Sequence, residues 1–189
     1  METISRQAAG ASEPLPLDPT ELVKYGQISV IALSGFQGDF QAAIYSLIAD
    51  AIFGARLSNT LTLPALLVLE EAHNFAPERA STPAEEHAVM TTRQIAQEGR
   101  KFGIGLVVIS QRPSRLDETT LSQCNSYIIM RLSNPADQAY VRRVIETLGE
   151  DEAQMLPDLD VGEALLSGQI TNFPVLVRVK PPASKGERD

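Results

Sequence analysis

The sequence predicts an α/β fold with a mostly parallel sheet, and three observations predict it. Short apolar runs alternate with segments of helical period from residue 28 to residue 148. The runs are nearly all apolar, the pattern of strands covered on both faces, where a half-exposed strand would alternate apolar with polar. The chain has 189 residues, 43% of them apolar, which suits one domain with a sizeable core.

The elements follow in order. Ile28–Leu33 is a β-branched run ended by Ser34-Gly35 and reads as a strand. Phe40–Leu57 places Ala43, Leu47, Ala51 and Ile52 at helical spacing. Leu66–Leu69 is a buried strand that stops on Glu70-Glu71. Ala84–Phe102 is helical, Leu106–Ile109 is a strand, Leu116–Cys124 is a short helix or turn, and Tyr127–Arg131 is again a strand. Asn134 is a good N-cap, Pro135 occupies the first helical position and Asp137 the first turn, so a helix starts there and runs to Leu148 before Gly149. Glu163–Leu166 and Val175–Val179 read as two paired strands. Residues 1–20 read as a flexible leader without the pattern of a secretory signal, and 181–189 as a disordered tail.

Composition narrows the function classes. Sixteen Lys and Arg against 24 Asp and Glu give a net charge of −8, which excludes nucleic-acid binding by bulk charge. One cysteine, Cys124, excludes an intramolecular disulfide and reads as a packing residue in a reducing, cytoplasmic compartment. No apolar run reaches the roughly 18 residues of a membrane span, so no membrane partner is expected.

Ligands of parallel sheets sit at the carboxyl ends of the strands. Glu70-Glu71 follows one strand directly. Two adjacent carboxylates there suit a hydrated Mg²⁺ and an attacking water, or else a strand cap and a solvated turn. Gln111 follows the next strand, in Val107–Ser114, where it either meets a terminal phosphate or simply leaves the sheet. Arg93, Gln97 and Arg100 share one helix face, opposite Ala88, Ile95 and Phe102. The window Arg93–Arg115 holds five basic residues and one acid, a local +4, read either as a solvated face or as an anion site. His73 has no second ligand at metal spacing and reads as a structural hydrogen-bonding residue. Gly35 and Gly38 precede Asp39, which would repel phosphate, so they mark a turn.

Together these segments resemble one family. Glu70-Glu71-Ala72-His73-Asn74-Phe75 resembles the Walker B motif of the HerA–FtsK superfamily of RecA-like DNA-translocating ATPases. Ile95–Gly103, Ile109–Ser114, Leu121–Asn125, Arg131–Gln138 and Gly162–Gly168 come next, in the family's order. The resemblance covers roughly Leu22 to Lys180 and points to the HerA branch more than to FtsK or to secretion-system ATPases. It implies a RecA-like P-loop NTPase fold, a three-layer mostly parallel sheet. It also implies a hexameric ring that hydrolyses ATP at subunit interfaces with Mg²⁺, moves double-stranded DNA and works with a NurA-type nuclease in DNA-end processing. Glu71 would be the catalytic carboxylate and Glu70 the Mg²⁺ ligand through water. Gln111 would be the γ-phosphate sensor, Arg100 the arginine finger and Arg93 a second nucleotide-binding arginine. The sequence departs from the family in two ways. Glu70 stands where Asp is usual, and no Gly is followed by Lys, so the phosphate loop and its strand are absent. The chain thus reads as residues 21–180 of a C-terminal portion of the ATPase domain, inactive without a P-loop. The alternatives are a non-catalytic RecA-like interaction module and a relative of the type IV secretion ATPases.

Overall fold

The computed structural model describes residues 18–181, so most of the expected leader and all but the first residue of the expected tail lie outside the described residues. The chain divides between Ile109 and Ser110 into two compact units.

In the first unit, Asp18 caps a single turn, α1 (Pro19–Leu22). Residues 27–33 then run as irregular chain, not as the strand read from Ile28–Leu33. A β-branched run becomes a strand only beside a neighbour that accepts its hydrogen bonds, and no ladder partner is present among the described residues. Ile28 and Val30 are accordingly 75% and 81% exposed. Gly35, at φ +95°, makes the expected turn, and α2 (Gly38–Leu57) comes next with Asp39 in its first turn.

The buried face of α2 is Ala42, Tyr45, Ser46, Ala49, Ile52 and Phe53. Of the stripe read through Ala43, Leu47, Ala51 and Ile52 only Ile52 belongs to it; the rest is rotated away, and Leu47 is 68% exposed. Small residues line the buried side and admit α3 (Pro83–Glu98) closely. Across that contact the Tyr45 hydroxyl meets Thr92 Oγ1 at 2.9 Å, and burial pushes the Tyr45 phenol up to about 12. Asp50 binds His87 Nε2 at 2.7 Å and accepts from Thr91 Oγ1 at 2.9 Å. By length and composition α2 is apolar enough to cross a membrane. Its buried stripe and its polar pairs with α3 place one face of it against that helix of the same unit.

The start of α3 is a capping arrangement. Thr82 Oγ1 accepts from the Glu85 amide, and Glu85 Oε2 accepts from the amide and hydroxyl of Ser81. Those Ser81 bonds hold the Glu85 carboxyl below its ordinary range. The helix read to Phe102 ends at Glu98, where a 3₁₀ turn, Gly99–Phe102, takes over.

Strands β1 (Ala65–Leu69) and β2 (Ile104–Val108) pair in parallel, from Ala65↔Ile104 to Leu69↔Val108. One face of the pair carries Ala65 and Leu69, both buried. The other carries Leu66 and Val68, 66% and 52% exposed, beside the partly exposed Val107.

The second unit opens with α4 (Glu118–Ser122), capped by Asp117, and β3 (Ser126–Ile129). Next comes α5 (Pro135–Val144), capped as expected by Asn134, whose Oδ1 accepts from the Ala136 amide at 2.8 Å. It stops four residues before Leu148 because Ile145 turns to extended backbone, and Ile145 and Leu148 join the core. Gly149 is not a helix end but the N-cap of a further helix, α6 (Glu150–Met155), whose first turn holds three acids. Strand β4 (Glu163–Gly168) pairs antiparallel with both β3 and β5 (Val175–Arg178), which realises the expected pairing near the chain's end. Ile129, Val141, Leu156 and Leu165 are among the core residues.

Parallel sheets are ordinarily covered on both faces, and apolar patches of this kind drive association. The purified chain is therefore expected to self-associate with concentration, and Val68→Lys combined with Val107→Lys to reduce that association. Size-exclusion chromatography across a dilution series checks this, and a wild-type monomer unaffected by concentration contradicts it.

Candidate functional site

The carboxyl end of β1 carries the acidic pair. The parallel ladder continues one step beyond β2, where the Ile109 amide donates to Leu69 O and Ile109 O accepts from the Ala72 amide, both at 2.9 Å. Glu70 and Glu71 lie between these two anchors. The strand before them is exposed on one face and Glu70 is exposed, so the carboxylates do not close a fully buried strand as the apolar run suggested.

Glu71 has φ 49° and ψ 49°, the left-handed region that costs an L-residue other than glycine roughly 1–2 kcal/mol. Such backbone persists only where the surroundings over-determine it, and it concentrates at functional sites. Here the surroundings are the Ile109 bonds on both sides and a 3₁₀ turn, Ala72–Asn74, which begins directly after Glu71. His73 Nδ1 lies 3.4 Å from Glu71 Oε2. The structural role read for His73 thus acquires a definite partner, the carboxylate of its own turn. Nothing in the residue types announced the left-handed backbone, since glutamate has no preference for it.

The helix face read from the sequence holds for Arg93 and Gln97 opposite Ala88 and Ile95, while Arg100 and the half-buried Phe102 fall past its end on the Gly99–Phe102 turn. Arg93, Gln97 and Arg100 are exposed, while Ala88 and Ile95 are buried. Arg100 and Lys101 ride on the Gly99–Phe102 turn. That turn precedes β2, and its exit is tied to the start of β1 by the Ala65 amide donating to Gly103 O at 3.0 Å. Arg100 therefore stands at the amino end of the parallel pair and the two glutamates at the carboxyl end. Five residues of strand separate the ends, about 15 Å at ~3.3 Å per residue. Arg100 and Glu71 are thus anchored at opposite ends of the pair.

Gln111 comes two residues after Ile109 and belongs to the second unit, where it is exposed. Ser110 Oγ accepts from the Arg112 amide at 3.0 Å and turns the chain there. The loop beyond is fixed from α5. The buried Asp137 accepts from the Ser114 amide at 3.0 Å, and the Tyr140 hydroxyl donates to Leu116 O at 2.5 Å. Asp137, read from the sequence only as a first-turn acid, is thus the anchor of the loop that carries Gln111. The division into units also splits the basic window, with Arg93, Arg100 and Lys101 in the first and Arg112 and Arg115 in the second.

Among the described residues no group of three or more His, Cys, Asp or Glu could enclose a metal. Glu70 and Glu71 suit a Mg²⁺ that keeps most of its waters, which needs only one or two carboxylates. Cys124 donates to Thr120 O at 3.5 Å, and burial pushes its thiol up, in keeping with a packing residue.

No protein-family model matches the chain. The DNA double-strand break repair helicase HerA of Saccharolobus solfataricus is 37% identical over 168 residues, which is 86% of this chain and 33% of that protein. The protein of the same name from Pyrococcus furiosus is 47% identical over 119 residues, 63% of this chain and 21% of that one. The chain spans about a third of the length of the first of these relatives. Among solved structures, the genome packaging NTPase B204 of Sulfolobus turreted icosahedral virus 2, in complex with ATP-gammaS, superposes with a TM-score of 0.62 at 16% identity. That match covers 87% of this chain and 72% of B204. VirB4 of Thermoanaerobacter pseudethanolicus gives 0.59 at 18% identity, over 80% of this chain and 40% of VirB4. These two likenesses establish the fold, that of RecA-like P-loop NTPases.

The strain at Glu71 is measurable without any ligand. Glu71→Gly is expected to be more stable than Glu71→Ala by about 1 kcal/mol, because glycine relieves the left-handed backbone that alanine keeps. Urea unfolding of the two variants checks the order, and equal midpoints contradict it.

Proposed function

We propose a function for this chain from its homology to the HerA-type helicases of the HerA–FtsK superfamily. It is the part of an ATP-driven DNA translocase that carries the catalytic carboxylate, the sensor and the arginine finger. The observation that carries the reading is Glu71, held in left-handed backbone at the carboxyl end of β1. A carboxylate there can orient a water and draw on its proton as it attacks the terminal phosphate. Glu70 would hold the Mg²⁺ through a water. When bound, the metal neutralises charge on the β- and γ-phosphates. Gln111 would hydrogen-bond the γ-phosphate, and Arg93 would add a second cation to the nucleotide.

Arg100 would act as the finger of a neighbouring copy. Its position at the far end of the strand pair from Glu71 supports that reading. One nucleotide can meet both groups only if two subunits contribute them. A ring, hexameric by the resemblance, supplies such interfaces. DNA, double-stranded by the same reasoning, would be the polymer moved, a NurA-type nuclease the partner at DNA ends, and the cytoplasm the compartment.

The 189 residues contain no phosphate loop, so the P-loop must come from elsewhere. The chain alone is expected to turn over no ATP, and to gain turnover when the N-terminal, P-loop-bearing part of a HerA-type helicase is supplied. A non-catalytic interaction module is the second reading. A docking module has no need of a strained carboxylate, and Glu71 weighs against it. Kinship with secretion ATPases has less support, since the relatives at 37% and 47% identity are HerA helicases.

In the completed protein, Glu71→Gln and Arg100→Ala are each expected to lower kcat by about 10³-fold. Mixing the two variants should restore part of the turnover, because an interface pairing Glu71 of one copy with Arg100 of the other is intact. Steady-state ATP hydrolysis of each variant and of the mixture checks this. Wild-type turnover by Glu71→Gln refutes the assignment of Glu71, and a mixture no faster than its parts refutes a finger in trans.

A further inference from the structure

The turn that carries Arg100 closes on one shared donor. The Gly103 amide donates both to Arg100 O, at 3.3 Å, and to Gly99 O. Both cations it presents, Arg100 and Lys101, are exposed. A further hold comes from α2. Arg56, in the last turn of that helix, donates Nε–H to Phe102 O at 2.5 Å and Nη1–H to Leu61 O at 2.8 Å. One rigid, always charged fork thus ties the turn's last carbonyl to the loop that leads into β1.

Two further contacts set the same turn. The Phe102 ring meets the edge of Phe53, about one helical turn before Arg56, with centroids 5.3 Å apart. Gly103, at φ +70°, leaves room for the guanidinium, since a Cβ there would fall 2.6 Å from Arg56 Nη2. On the turn's other side, a Cβ on Gly99 would fall 2.7 Å from Ile104 O, so the backbone lies directly against the start of β2.

We propose that Arg56 is a positioning residue for the finger: its guanidinium fixes the Gly99–Phe102 turn on α2 and thereby sets where Arg100 points. The inference rests on the reading of Arg100 given above. Lysine cannot replace this arginine, because a single ammonium on a flexible stem does not span two carbonyls in fixed geometry. A finger that is misplaced by about 1 Å forfeits rate in the way a misoriented reactant does, on the order of 10- to 100-fold. Binding of the nucleotide in the ground state is left nearly intact.

The experiment has two parts. In the full chain, hydrogen–deuterium exchange of the amides of residues 99–104 is followed in Arg56→Lys and in Gly103→Ala. The second variant keeps the arginine but crowds its guanidinium. Faster exchange confined to that turn, with α3 protection unchanged, is expected, and unchanged exchange in both variants overturns the proposal. In the protein completed with a P-loop segment, Arg56→Lys should lower kcat by about tenfold or more with the KM for ATP within about twofold. It should cost nothing further in an Arg100→Ala background. Wild-type kcat in Arg56→Lys, or a loss that adds to that of Arg100→Ala, overturns the role of Arg56 alone. Wild-type kcat in Arg100→Ala overturns the finger reading and this inference with it.

Discussion

Parallel pairing between β1 and β2 governs where every charged group flanking the two strands lies. Two strands that run the same way share a carboxyl end and an amino end, and the register from Ala65↔Ile104 to Leu69↔Val108 leaves no freedom between them. The Glu70-Glu71 step, coming directly after β1, is therefore fixed at one end, and the Arg100 turn, coming directly before β2, at the other. The two backbone bonds of Ile109 carry the pairing past the strands and into the Glu70-Glu71 step. A slip of one residue would turn Leu69 outward and Val68 inward, and it would also undo the anchor that keeps Glu71 left-handed. Register, strain and the location of the carboxylates are one constraint.

The same pair explains why half of the sheet is bare. α2 and α3 pack closely because small residues line their contact, and polar pairs such as Tyr45 with Thr92 are satisfied within it. Such a pair adds about 1 kcal/mol net, whereas leaving either hydroxyl buried without its partner would cost more. Nothing equivalent lies over Leu66 and Val68 among the described residues. The irregular run at Ile28 and Val30 has the same origin. Strands and covered faces are properties of neighbours, and β-branched side chains declare a preference that only a neighbouring strand can realise.

Legibility in the sequence divides along the same line. The strands before Glu70 and before Ser110, the Asn134 cap, the buried line Ala88–Ile95 and the β4–β5 pairing all rest on patterns internal to a segment, and each is present. The α2 stripe was displaced because apolar spacing alone cannot tell which small residues admit a partner helix. The end of α5 was misplaced because Gly149 serves equally as a stop or as the cap of α6. The left-handed Glu71, the anchoring role of Asp137 and the clamp of Arg56 were illegible for a common reason. Each depends on a backbone group brought near by the fold, and a sequence carries no mark of which carbonyl an arginine will find.

The two ends of the strand pair also bear on the choice between an enzyme part and a docking module. A strained backbone of about 1–2 kcal/mol is a sizeable fraction of the roughly 5–15 kcal/mol that holds a typical domain together. A module that only docks gains nothing from it. Nor does docking call for an exposed cationic turn held rigid by a half-buried fork. A carboxylate held under strain and a cation held in place are what the proposed reading, in which both meet a reacting phosphate, calls for. Because the chain anchors them at opposite ends of the strand pair, the proposed reading has them serve such a phosphate from two different copies. The geometry that weighs against a docking module is thus the same geometry on which the proposal of an interface between copies rests.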